Sequence, residues 1–152
     1  MSQDIYLISA CLLGVNCRYN GTSSRVSELD TLLDSGRLIP VCPEVLGGLP
    51  TPREACEIIT QTNGSSRVMT QRGLDCTSEF QTGAKRVLDI GQICGAKKVI
   101  LKANSPSCGC GNIYDGTFSG KLIEGNGLTS QLLLANDIEV YNENNWTEGE
   151  FV

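Results

Sequence analysis

The chain has 152 residues, with 12 Lys+Arg, 17 Asp+Glu and no histidine, for a formal net charge of −5. Without an imidazole there is no Ser/His/Asp triad, Cys/His protease, HExxH zinc site, His-ligated haem or mixed Cys/His zinc site. The acidic balance argues against a basic surface for long nucleic acid, and a chain of about 150 residues suffices for one domain that buries roughly 68–70% of its unfolded surface.

One domain is expected across residues 1–152, because no repeat, linker or charge block divides the chain. The opening MSQDIYLISA has no basic start before an apolar run. No apolar stretch approaches the roughly 18 residues of a membrane span, so a cytoplasmic protein with no membrane partner is expected. Residues 5–9 (IYLIS) predict a buried strand that ends in small residues before Cys11. Residues 24–36 predict a helix, with Val26, Leu29, Leu32 and Leu33 on one face and Gly36 as its stop. Residues 38–42 (LIPVC) predict a second strand, ended by Pro43, and residues 66–71 carry a weaker strand signal.

Thr77 or Ser78 predicts the cap of a helix running to about Ile93, with Ser78 and Gln81 as a capping box and Phe80, Ala84, Val87, Leu88 and Gly91 facing inward. Gly95 stops it. Residues 98–102 (KVILK) predict a buried strand, residues 128–134 a last helix and residues 138–141 (IEVY) a last strand. Gly116 and Gly120, in YDGTFSG, read as a turn. Strands alternating with helices predict an α/β domain: a mostly parallel sheet with helices on both faces, a Rossmann-like three-layer arrangement. Ligand sites in such sheets lie beyond the carboxyl ends of the strands. The loops starting at Cys11, Cys42 and Asn104 each follow a predicted strand and converge there.

Eight cysteines in a chain of this kind point to metal or catalytic use more than to cross-links. Each of the segments CLLGVNCRYNG (11–21), CPEVLGGLPTPRE (42–54) and ANSPSCGCG (103–111) sets a cysteine within three residues of Gly or Pro. Cys56, Cys76 and Cys94 read as packing residues, with Cys94 on the inner face of its helix. Cys11, Cys42 and Cys108, one from each strand-end loop, read as a cluster site at the sheet edge, with Cys17 and Cys110 as rival thiols. No CxxC pair supports a zinc ribbon or a thioredoxin-like motif.

The segments CLLGVNCRYNG, CPEVLGGLPTPRE and LKANSPSCGCGNIYDGTFSG, followed by EGNGLTSQLL, resemble the thiouracil desulfidase (TudS-type) family from about residue 5 to 141. The resemblance implies a [4Fe-4S] cluster held by Cys11, Cys42 and Cys108 with one iron open. It also implies non-redox removal of sulfur from a small thiolated pyrimidine, thiouracil giving uracil and sulfide. Glu44 then matches the acid/base carboxylate, and Ser105 or Ser107 an active-site hydroxyl. Asn20 stands where the pattern has Asp, and Cys110 where it has no cysteine.

The chemistry is coherent. A soft thiocarbonyl sulfur suits a thiophilic iron, and Glu44 is placed to activate the water that adds to carbon. The N–H groups of Gly109 and Gly111, with Lys102 or an Arg, are expected to offset the cluster's negative charge. The alternative is a module that binds a cluster or another soft metal without catalysis. The sequence carries no feature that sets an oligomeric state.

Overall fold

The computed structural model describes residues 4–151. In chain order it runs β1 (Tyr6–Ser9), a 3-10 turn (Ala10–Leu13), a second 3-10 turn (Ser27–Leu29), α1 (Asp30–Asp34), β2 (Leu38–Val41) and α2 (Pro43–Leu46). Then come β3 (Cys56–Thr60), β4 (Ser66–Thr70), α3 (Thr77–Cys94), β5 (Lys98–Ile100), β6 (Asn112–Tyr114), β7 (Leu122–Glu124), α4 (Leu128–Ala135), β8 (Glu139–Tyr141) and α5 (Glu148–Phe151). No helix among these residues is long and apolar enough to cross a membrane.

Successive side chains of a strand point to opposite faces, and a sheet covered on both sides must therefore be apolar throughout. β1 meets that condition with all four residues buried. Tyr6 and Ile8 join Leu29, Leu32, Ile100 and Phe151 in a cluster on one face. Leu7 joins Val41, Val87, Val99, Leu101 and Leu133 on the other. Helices thus cover both faces, as the alternation of elements predicts. Each fully buried aliphatic side chain in these clusters contributes about 1.5–3 kcal/mol of burial energy.

The central sheet has the order β2-β1-β5-β8, and every pairing in it is parallel. The chain leaves β1 for β2 on one side and later returns to β5 on the other, so the strand order reverses at β1. In parallel sheets such a reversal opens a crevice at the carboxyl ends. Two antiparallel hairpins, β3–β4 and β6–β7, flank this edge.

Several expectations are corrected. The helix over 24–36 reduces to a 3-10 turn and the five residues of α1. Its first residues are held elsewhere, because Ser24 N–H donates to Cys11 O at 2.9 Å and Val26 N–H to Leu12 O at 2.9 Å. Leu33 consequently lies exposed. The capping box at Ser78 and Gln81 is absent; Asp75 Oδ1 accepts the Thr77 N–H at 2.9 Å instead. The Thr77 hydroxyl accepts Val68 N–H at 2.9 Å, which pins the helix start to β4. Cys94 is half-buried, outside the buried face of α3. β3, β6 and β7 were not predicted, nor were the four-residue helices α2 and α5.

α2 carries Glu44 in its first turn. Pro43 starts it, where a missing N–H costs nothing. The helix lies directly on the backbone of α3. A Cβ on Gly83 would come 1.9 Å from Pro43 O, and one on Gly47 would come 2.0 Å from Glu79 O. Arg86 caps the far end by donating to Leu46 O at 2.6 Å. Because both contacts are backbone on backbone, Gly83→Ala is expected to lower stability by about 1–3 kcal/mol in chemical denaturation. Gly149→Ala, which meets nothing within 4 Å, is expected to leave the midpoint unlowered.

Candidate functional site

The parallel pairing of β1 with both β2 and β5 puts three strand ends side by side, and their loops line one cavity of about 400 Å³. Cys11 enters it from the 3-10 turn after β1, Cys42 from the residue before α2, and Cys108 from the loop after β5. Cys11 and Cys17 pack with the cluster on one face of the sheet and Cys108 with that on the other, so thiols reach the edge from both sides. Glu44, Ser105 and Ser107 line the same cavity. The three expected ligand thiols, Glu44 and both serines are therefore brought together.

Of the rival thiols, Cys17 lines the cavity and Cys110 does not. Cys42 Sγ donates to Cys17 O at 3.8 Å, and the Cys17 thiol is raised above its ordinary value, chiefly by the neighbouring Cys11 thiol. Cys42 is pushed far up by its bond with Cys17 and then by burial. Burial pushes Cys108 up to about 11, against donation from Ser9 and Ser107. Those hydroxyls lie 3.5 and 3.6 Å from its sulfur. The thiols thus hold their protons until a metal displaces them, and metal binding at such a set releases protons. A closed zinc site needs its ligands to converge on one point; among the described residues no group of three or more His, Cys, Asp or Glu does so.

Glu44 is gripped at both oxygens. Arg53 Nε donates to Oε1 at 3.0 Å, and the Ser107 hydroxyl donates to Oε2 at 2.8 Å. The same guanidinium reaches Cys17 O at 2.8 Å, Pro50 O at 3.1 Å and the Thr51 hydroxyl at 3.0 Å. Arg53 is only 6% exposed and Glu44 16%. Sequence reasoning alone does not single out Arg53 as a site residue. Its place in the same segment as Cys42 and Glu44 was the available signal. Ser105 accepts the Cys108 N–H at 2.7 Å and sits 3.4 Å from the Ser107 hydroxyl.

Three details differ from the expectations. The Gly109 and Gly111 N–H groups donate to Ser105 O at 2.9 Å and Asn126 Oδ1 at 2.8 Å, so neither is free to face a thiolate. Lys102 lines the cavity but is paired with Glu143 at 2.7 Å. Asn20 accepts Thr22 N–H at 3.1 Å and its hydroxyl at 2.6 Å through Oδ1, a turn that an aspartate oxygen would serve equally.

The geometry defines a parallel α/β domain whose strand-end loops gather thiols beside a paired carboxylate. Residues 6–145 match the model of the 2-thiouracil desulfurase family, and the chain belongs to that family. It is 45% identical over 143 residues to the uncharacterized protein YbbK of Bacillus subtilis (strain 168), covering 91% of this chain and 95% of that one. A solved structure of the [4Fe-4S]-dependent thiouracil desulfidase TudS superposes with a TM-score of 0.88 at 41% identity, covering 98% of this chain and 95% of that one.

The raised thiols have a consequence for the metal-free protein. A group whose pKa is higher folded than unfolded supplies stability that is complete below the unfolded value and lost as pH climbs through the folded one. For Cys108 that window runs from the ordinary 9.0 to about 11. The thermal midpoint of metal-free protein is expected to fall across this interval. Cys108→Ser is expected to make the fall shallower.

Proposed function

We propose that the protein removes sulfur from a small thiolated pyrimidine, thiouracil giving uracil and sulfide, without net redox change. The observation that carries this reading is the meeting of Cys11, Cys42 and Cys108 with the Glu44–Ser107 pair in one cavity. The donor set suits a [4Fe-4S] cluster: three thiols come from separate loops, and each thiolate of such a cluster binds its own iron rather than a shared ion. Cys11, Cys42 and Cys108 would hold it, with Cys17 beside them. When bound, a cluster with three thiolate ligands supplies a thiophilic Lewis acid that polarises a C=S bond.

The chain's own residues supply the rest. Glu44 takes a proton from the water that adds to the ring carbon, and returns one to the leaving sulfur or a ring nitrogen. With no histidine in the chain, a carboxylate is the group suited to that exchange. Arg53 holds Oε1, so the carboxylate cannot rotate away from the cavity. Ser107, between Glu44 Oε2 at 2.8 Å and Cys108 Sγ at 3.6 Å, couples the acid/base group to a ligand loop. Ser105, 3.4 Å from Ser107, extends the hydroxyl chain along the cavity wall. A free base suits a cavity of about 400 Å³ in a chain of net charge −5 better than long RNA or DNA does.

The test is sulfide release from 4-thiouracil by anaerobically reconstituted protein, with uracil identified as the product. Glu44→Gln keeps the shape and one of the two acceptor oxygens but cannot act as a base. It is expected to retain cluster absorbance and lose about 10²–10⁴-fold in turnover. Cys11→Ser, Cys42→Ser and Cys108→Ser are each expected to abolish cluster binding, whereas Cys17→Ser, Cys76→Ser and Cys94→Ser retain it. Full iron and sulfide content in Cys42→Ser would remove the three-loop ligand set. Turnover by Glu44→Gln at the wild-type rate would move the base elsewhere.

A further inference from the structure

Besides the cysteines, the cavity is lined by Tyr114 at the end of β6 and by Phe118 and Gly120 in the loop that joins β6 to β7. Phe118 sits at φ +57°, in the left-handed region. For a bulky side chain that conformation is a true outlier. A loop that needed only the turn would carry Gly or Asn there, as this one does at Gly116 and Gly120, both with positive φ. Phe118 is half-buried and joins none of the three core clusters. Its ring is thus held in a costly backbone state without repayment in core packing.

What holds it there is Glu57, a residue 9% exposed on β3. One oxygen, Oε1, accepts both the Gly116 N–H at 2.9 Å and the Phe118 N–H at 3.1 Å. A buried carboxylate is expensive unless its bonds are made, and the bonds made here go to the two backbone groups that set the Phe118 conformation. The loop is seated closely as well. A Cβ on Gly116 would lie 2.9 Å from Ile58 O. Asp115 accepts the Thr117 N–H at 2.9 Å and its hydroxyl at 2.6 Å, which closes the turn from within. Local strain persists only where surrounding bonds over-determine it, and it gathers at ligand sites.

We infer that Phe118 supplies the aromatic face against which the pyrimidine ring lies, and that Glu57 is the positioning residue that holds this face in the cavity. The inference rests on the desulfuration reading for the identity of the ring and assigns a residue that selects for it. A planar, electron-poor base stacks on an aromatic side chain with little dependence on its exocyclic groups. Stacking therefore holds thiouracil and uracil alike, and it leaves the thiocarbonyl edge to the thiol side of the cavity.

The test uses the cluster-loaded protein under anaerobic conditions, with uracil binding by calorimetry read beside KM, kcat, cluster absorbance and thermal midpoint. Phe118→Gly removes the ring and relieves the left-handed backbone. Its midpoint is expected at or above wild type, while uracil affinity falls about tenfold to a hundredfold and KM rises accordingly. Phe118→Tyr is expected to stay within about threefold of wild type, since the aromatic face is kept. Glu57→Met is expected to weaken uracil binding when Phe118 is present and to add nothing further in the Phe118→Gly background, which a merely structural carboxylate would not do. Wild-type uracil affinity in Phe118→Gly would overturn the inference while leaving the desulfuration reading intact. A wild-type protein that carries its cluster yet neither binds uracil nor releases sulfide would overturn that reading, and the stacking face with it.

Discussion

Both oxygens of Glu44 are engaged, one by Arg53 and one by Ser107, and through these two partners all three strand-end loops meet. Glu44 belongs to the loop after β2, Ser107 to the loop after β5, and Arg53 reaches from the second loop to the carbonyl of Cys17 in the first. A half-enclosed ion pair is stable only while its remaining hydrogen-bonding capacity is met, and removing one partner leaves the other charge stranded. The site therefore behaves as one unit. Ser9 adds a second tie across the sheet: its hydroxyl accepts the Lys102 N–H at 2.8 Å and donates towards Cys108 Sγ at 3.5 Å. α4 braces the same loop from outside, where Thr129 N–H donates to Ser107 O at 2.9 Å and the Ser130 hydroxyl to Cys108 O at 2.7 Å.

This network explains which side chains can move protons and which only hold position. Ser107 has a single hydroxyl proton, and its short bond to Glu44 at 2.8 Å makes the carboxylate its acceptor. Cys108 is left with weaker donation and full burial, the environment that raises its thiol to about 11. The Glu44–Ser107 pair and the thiols are thus neighbours whose properties are set by different surroundings. Gly47 and Gly83 matter to the same chemistry from a distance, because only their missing side chains let α2 lie flat on α3 with Glu44 at its first turn.

The parallel sheet was legible because its signal is local and redundant: IYLIS, LIPVC and KVILK are short apolar runs, each followed within four residues by Pro or Cys. The convergence of the cysteine loops followed from topology alone. The helix at 24–36 was misread because its apolar spacing is real, yet Ser24 and Val26 donate to the first cysteine loop instead of to a helix. β6 and β7 are three residues each, with all of β7 exposed, so no alternation marks them. Arg53 was passed over for a related reason. A single arginine in a Pro-rich loop looks like surface, and only the folded path shows it 6% exposed against Glu44. Phe118 was legible only as part of a glycine turn, since its backbone conformation has no sequence signature.

On the proposed function, the thiols of the three strand-end loops would hold one cluster beside Glu44. Mössbauer spectroscopy of anaerobically loaded, iron-57-enriched protein addresses it directly. About four irons per chain are expected, with one distinguishable from the others and altered selectively when thiouracil is added. A mononuclear site, or four irons that all ignore thiouracil, would contradict it.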